Sequence, residues 1–201
     1  MIKGLGTRFD AKALRPPAAV PDASRWRLPR GVAPEVWAAL LEWSTAGRVR
    51  RWQGSDALRS SSLEGGSEAQ RVELAEALCQ HLDGSVRLVA CGSAVRRIGL
   101  RLLVKVGDAF GGLGDAHPWD CGHTLSGPAG QQALERFRPR RDTLIVMHSL
   151  SATYISRRLE ALRANSAEFR RQVRVLLLPS SNGDPQHDAG PLRLEADPRV
   201  L

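Results

Sequence analysis

Three hydroxyls stand at alternate positions, Ser149, Ser151 and Thr153, directly after a short apolar run, Asp142-Thr-Leu-Ile-Val-Met147. Tyr154, the only tyrosine in the chain, follows them. Hydroxyls donate and accept hydrogen bonds, but holding a divalent cation or moving a substrate proton at neutral pH calls for carboxylates or imidazoles. This loop therefore reads as recognition chemistry. Short polar groups beside one amphipathic aromatic suit a contact surface, and Ser149, Ser151, Thr153 and Tyr154 are its candidate partner-binding residues.

The soft-ligand side chains offer two further chemistries. His117-x₃-Cys121-x-His123 could supply three zinc ligands from one loop. Structural zinc takes four, commonly in paired Cys-x₂-Cys spacing. Cys79 and His81 are two apart on a predicted helix and face different ways. Cys91-Gly-Ser93 could carry a thiolate nucleophile, with His123 or His148 as base and Asp120 or Asp142 orienting it. Small residues of this kind are also what a tight turn needs. Gly107-Asp-Ala-Phe-Gly-Gly-Leu-Gly114 invites comparison with a phosphate loop but lacks the Gly-Lys-Ser/Thr ending, so it reads as a connector. No catalytic residue, metal or cofactor is expected.

The elements that must position the hydroxyl loop are legible around it. Leu144–Met147 and Val173–Leu178 are short, nearly continuous apolar runs. Between them Ile155, Leu159, Leu162 and Phe169 recur at a spacing close to 3.6. Apolar strands separated by a helix predict a parallel sheet covered on both faces. In such sheets ligands meet the loops at the carboxyl ends of the strands, where Ser149 to Thr153 fall. Ser67 to Leu82 predicts a helix capped by Ser67, and Ser85–Cys91, with Val86–Ala90 at its centre, a buried strand. Ile98–Phe110 reads as helical. Gly111–Gly130 reads as a long glycine-rich loop, Gly54–Gly66 as a serine- and glycine-rich one, and Arg48–Gln53 as a weak strand. Gln131–Phe137 predicts a short helix, and Leu192–Leu194 an edge strand. The fold expected is α/β: a doubly wound, mostly parallel sheet with helices on both faces, plus an extended N-terminal arm.

The arm, residues 1–47, carries Pro16, Pro17, Pro21, Pro29 and Pro34, and then a helix from Val32 to Ser44. Trp26, Trp37, Trp43 and Trp52 bunch in this first third of the chain and read as a small satellite core. Residues 48–180 form the α/β domain and 181–201 a C-terminal tail. The net charge is +8, and only Lys3, Lys12 and Lys105 among the 29 basic residues are lysine. The remaining arginines are spread along the chain without interleaved aromatics. Any nucleic-acid binding is therefore expected to be weak and non-specific. No apolar run approaches the roughly 18 residues of a membrane span, and no signal-peptide core is seen, so no membrane partner is expected. Three cysteines fit a reducing, cytoplasmic setting.

Three segments carry a family likeness: Ser85-Val-Arg-Leu-Val-Ala-Cys-Gly-Ser93; Cys121-Gly-His-Thr-Leu125 followed by Gln131–Phe137; and Arg141-Asp-Thr-Leu-Ile-Val-Met-His-Ser149. From about Arg48 to Ser180 the chain resembles a von Willebrand factor A (VWA) domain of the bacterial kind that works beside AAA+ ATPases. That family binds a divalent cation through an Asp-x-Ser-x-Ser loop, a Thr and an Asp. Here Thr124 matches the Thr, Ser149 stands where the Asp is usual, and Leu150 stands where Gly is. Gly54–Ser62 lacks the first spacing and offers only Asp56. The resemblance thus implies a degenerate VWA-like module with its metal site lost. It would dock a protein, an AAA+ ATPase or another VWA protein, through Gly54–Ser62, Trp119–Thr124 and His148–Thr153. Thr124 thereby joins the partner-binding set. The alternatives are a polyanion-binding subunit and a Cys/His hydrolase.

Overall fold

The computed structural model describes residues 14–17, 28–46, 57–91, 93, 95, 96, 98, 99, 102, 117–148, 151–179 and 190–196. In chain order these form β1 (Leu14–Arg15), α1 (Pro34–Thr45), β2 (Leu58–Glu64), α2 (Glu68–Leu82), α3 (Ser85–Ala90) and β3 (Asp120–Thr124). There follow α4 (Gly127–Glu135), β4 (Thr143–His148), α5 (Ala152–Ser166), β5 (Val173–Leu178) and β6 (Arg193–Ala196). The strands make one six-stranded sheet in the order β1-β3-β4-β5-β2-β6. The four inner strands are parallel, and β1 and β6 pair antiparallel at the two edges.

Side-chain alternation on β4 and β5 builds a core on each face. Leu144, Val146, Leu176 and Leu178 point to one side, where Leu40 of α1 and Leu74 and Leu78 of α2 cover them. Ile145, Met147, Val175 and Leu177 point to the other, under Leu134 of α4 and Ile155, Leu159 and Leu162 of α5. The chain crosses from β2 to β3 in one direction, then steps back through β4 to β5. Right-handed crossovers in opposite directions place their helices on opposite faces.

The predicted strands Leu144–Met147 and Val173–Leu178 are β4 and β5, and the predicted helix over 67–82 is α2; the helix read between the two strands is α5, which ends at Ser166, so that Phe169 packs on the core from beyond it. Other expectations are corrected. Val86–Ala90 is not a strand but lies in helix α3. The Asp83 carboxylate accepts from Ser85 N at 2.7 Å and from Ser85 Oγ at 2.8 Å, which secures the first turn. Cys121–Thr124, read as loop, belongs to β3, because Gly122 lets β1 lie against it. A Cβ there would sit 2.7 Å from the Arg15 carbonyl oxygen. Leu58–Glu64, also read as loop, is β2: its serines are small enough to be buried, and Ser61 Oγ donates to Glu195 O at 2.6 Å. The short helix predicted over 131–137 is α4, which opens earlier, at Gly127.

The regions read as arm and tail both enter the sheet, as β1 and β6. Leu14 is wholly buried there. Trp37 and Trp43 of α1 are partly buried against the main core on the α2 face of the sheet, not in a satellite core, while Trp26, Trp52 and the strand read over 48–53 lie outside the described residues. No described helix is long and apolar enough to cross a membrane.

Candidate functional site

Because β2, β3, β4 and β5 run the same way, their carboxyl ends share one edge. β3 ends there with half-buried Thr124, and β4 with half-buried His148. Ser151 is the exposed N-cap of α5, and Thr153 and Tyr154 are exposed on its first turn. Tyr154 is 59% exposed, one of four large apolar side chains left in solvent among the described residues. Four of the five predicted partner-binding residues thus come to one edge. The fifth, Ser149, lies outside the described residues, as does Leu150. The loops first grouped with them do not all join. Trp119 is buried at the opposite end of β3, where its backbone N–H donates to Leu82 O at 3.0 Å. Ala57–Ser62 runs into β2, away from that edge.

On the α2 side of the edge lie two histidines and a glutamate. His123, 1% exposed, places Nε2 2.8 Å from Glu76 Oε1, with the oxygen off the N–H direction. Its Nδ1 has no hydrogen-bond partner among the described residues. The His148 ring meets it edge-on at 5.3 Å. Burial lowers the His148 pKa below its usual 6.5, helped by the nearby charges of His123 and Arg15 and opposed by Glu68 and Glu76. Burial and Arg87 lower that of His81 too. Both rings therefore favour the neutral form in the fold, while the unfolded chain takes up protons as pH falls through 6.5. Stability should be full above that pH and decline below it. Melting curves from pH 7.5 to 5.5 are expected to show this decline. In His148→Gln the decline should be smaller, and an unchanged slope would remove His148 as a cause.

The other constellations do not assemble. Cys121 is fully buried, and burial, followed by a hydrogen bond to Cys79, raises its pKa far out of the thiolate range. His117 sits beyond buried Trp119, near Pro118 O, whereas His123 is at the far end of the strand beside Glu76. No three His, Cys, Asp or Glu side chains among the described residues are placed to hold a metal ion. Asp120 pairs with Arg140 at 3.0 Å and Arg141 at 3.4 Å, at the amino edge of the sheet. Asp142 accepts from Gln172 N at that same edge. Six residue steps along β4, roughly 20 Å, separate Asp142 from His148. Cys91 ends α3 with no histidine partner among the described residues.

On the α4–α5 side, the sequence reading missed Arg158. The residue is 2% exposed, and Nη2 donates to Leu125 O at 2.7 Å. Nε and Nη1 have no hydrogen-bond partner among the described residues. Burial lowers the Arg158 pKa, against the raising influence of Tyr154. Leu125 directly precedes Ser126, the N-cap of α4. Neither Ser126 nor Ser151 uses its side chain to cap its helix, unlike Ser67, which forms a full capping box with Gln70. Periodicity carried a signal for Arg158: it stands three residues after Ile155 and one before Leu159, on the inward side of α5. No protein-family model, curated protein or solved structure matches this chain.

Proposed function

We propose that this chain is a non-enzymatic interaction module that docks a protein partner on the carboxyl edge of its sheet, through Thr124, Ser149, Ser151, Thr153 and Tyr154. One observation carries the reading. Tyr154 stands 59% exposed at the start of a helix whose inward residues are buried, so a large amphipathic ring is held at a fixed place in solvent. A second surface feature favours binding over catalysis. Val95, Ile98 and Leu102 are helical, spaced three and four apart, and 77%, 64% and 61% exposed. A degenerate VWA-like adaptor, linked to an AAA+ ATPase in the cytoplasm, is the finer form of this proposal. Two of its three motif segments run as strand-then-helix and strand, as that reading needs, while Ser85–Ala90 is helical.

Charge gives less support to the polyanion alternative. Arg71, Arg141, Arg158 and Arg174 are buried, and Arg71, Arg158 and Arg174 donate to backbone carbonyls inside the fold.

The test is capture of partners from the native host with tagged full-length chain. Ser151→Arg and Tyr154→Ala change exposed side chains, so melting temperatures should stay within a few degrees. Partner recovery should fall about tenfold, which needs only ~1.4 kcal/mol. Normal recovery with both variants would defeat the reading. Loss of recovery in a folded Trp37→Ala or Trp43→Ala protein would move the docking surface to α1.

A further inference from the structure

The edge proposed to dock the partner also holds a cation that has no counter-ion among the described residues. Arg158 is enclosed to 2% exposure, and one carbonyl, that of Leu125, takes a hydrogen bond from Nη2. The donors on Nε and Nη1 have no hydrogen-bond partner, and no carboxylate among the described residues pairs with the group. Leaving buried guanidinium donors unmade is costly, and a guanidinium is best satisfied by a phosphate or carboxylate. Both helices beside it begin at this edge. The α4 N-terminus lies directly beyond the carbonyl that anchors Arg158, and the α5 N-terminus lies two turns before Arg158 on its own helix. In each, the N-cap serine leaves the first-turn amides uncapped by its side chain; in α4 these are the amides of Gly127 and Ala129, since Pro128 has no N–H. Uncapped amides at a helix N-terminus carry partial positive charge and select anions. Two such termini, one buried unpaired guanidinium and the hydroxyls of Thr124, Ser126, Ser151 and Thr153 are the donor set of a tetrahedral oxyanion site. The side opposite, with Glu76 and His123, belongs to the other face of the sheet.

We infer that the notch between the N-termini of α4 and α5, with Arg158 at its base, binds a phosphoryl group. A planar carboxylate would leave the two helix ends unequally used, whereas a phosphoryl group presents oxygens in several directions and up to two negative charges. The inference deepens the docking proposal by naming the chemistry the edge reads. It does not need the partner to be known, because the anion site belongs to this chain alone.

Inorganic phosphate is titrated against the full-length chain by calorimetry, with chloride at matched ionic strength as the reference. Saturable phosphate binding absent with chloride is expected. Arg158→Gln should weaken it by about tenfold or more, the scale of losing one charge-assisted contact. Arg157→Gln changes its exposed neighbour and should bind as the native chain does. If Arg158→Gln fails to fold, Ser151→Glu supplies the second reading, since a carboxylate at the mouth should repel phosphate by a similar factor. A phosphoserine peptide and adenosine monophosphate then separate the sources. Tighter binding of the peptide points to a phosphorylated partner, and tighter binding of the nucleotide to a free phosphate ester. Phosphate no better than chloride, or a folded Arg158→Gln that binds normally, overturns the inference while leaving partner capture by Tyr154 standing.

Discussion

Arg174→Ala is expected to lower the melting temperature by about 6–12 °C, from a loss of ~3 kcal/mol and the 2–4 °C per kcal/mol usual for a chain of this size. Arg174, the second residue of β5, is fully buried on the face covered by α1 and α2. Nε donates to Trp43 O at 3.3 Å, and Nη2 donates to Ala46 O at 2.8 Å and Gln172 Oε1 at 3.4 Å. Two of those acceptors are carbonyls at the C-terminal end of α1, where unpaired carbonyls and the helix dipole favour a cation. Burial lowers the arginine's pKa to about 10, which marks how far the fold has drawn it from water. The alanine variant removes the arginine donors, leaves Ala46 O only the long bond from Gln172 Nε2 at 3.5 Å, and opens a cavity beneath α1. Arg174→Met keeps much of the volume and removes the buried charge, so its melting temperature should lie between the two. A methionine variant as stable as the native chain would show that the carbonyl clamp contributes nothing.

Gly65→Ala should destabilise by a comparable amount, about 3 kcal/mol or more, for a different reason. Gly65 takes φ +73°, and a Cβ there would lie 2.2 Å from the Pro191 carbonyl oxygen and 2.8 Å from its carbon. Both atoms are backbone, so relief means moving the approach to β6. The neighbouring turn is held by Gly66 N donating to Gly190 O at 2.8 Å. Arg71 closes it further: Nη1 donates to the Gly65 and Gly66 carbonyls at 3.0 and 2.7 Å, and Nη2 to Pro179 O at 3.1 Å. Hydrogen exchange read residue by residue should show β6 amides losing protection first in this variant, with β4 and β5 largely kept. Equal loss across the sheet would mean the turn is not a local clasp for β6.

The candidate site was legible where a strong strand announced it. The run from Leu144 to Met147 fixes a buried strand. The hydroxyl loop after it then falls at a carboxyl edge, whatever the strand order. Arg158 and the Glu76–His123 pair were not legible. Arg158 sits in a charged stretch, and only its phase against Ile155 and Leu159 marks it as inward. Glu76 and His123 are 47 positions apart in sequence and meet because α2 packs back across β3.

By itself the sequence determined the α/β class, the strands β4 and β5, and the helices α2 and α5, because long apolar periodicity leaves little choice of period or face. It could not determine β2 and β3. Their residues, Leu-Arg-Ser-Ser-Ser-Leu-Glu and Asp-Cys-Gly-His-Thr, have turn-like composition. They become strands because neighbouring strands satisfy their backbones: β2 pairs with β5 and β6, and β3 with β4 and β1. Nor could it assign Val86–Ala90, an apolar run too short for periodicity to separate strand from helix. A local carboxylate at Asp83 decided for the helix. The arrangement of the carboxyl edge was likewise decided only in three dimensions, where opposite crossover directions set α2 against one face and α4 with α5 against the other.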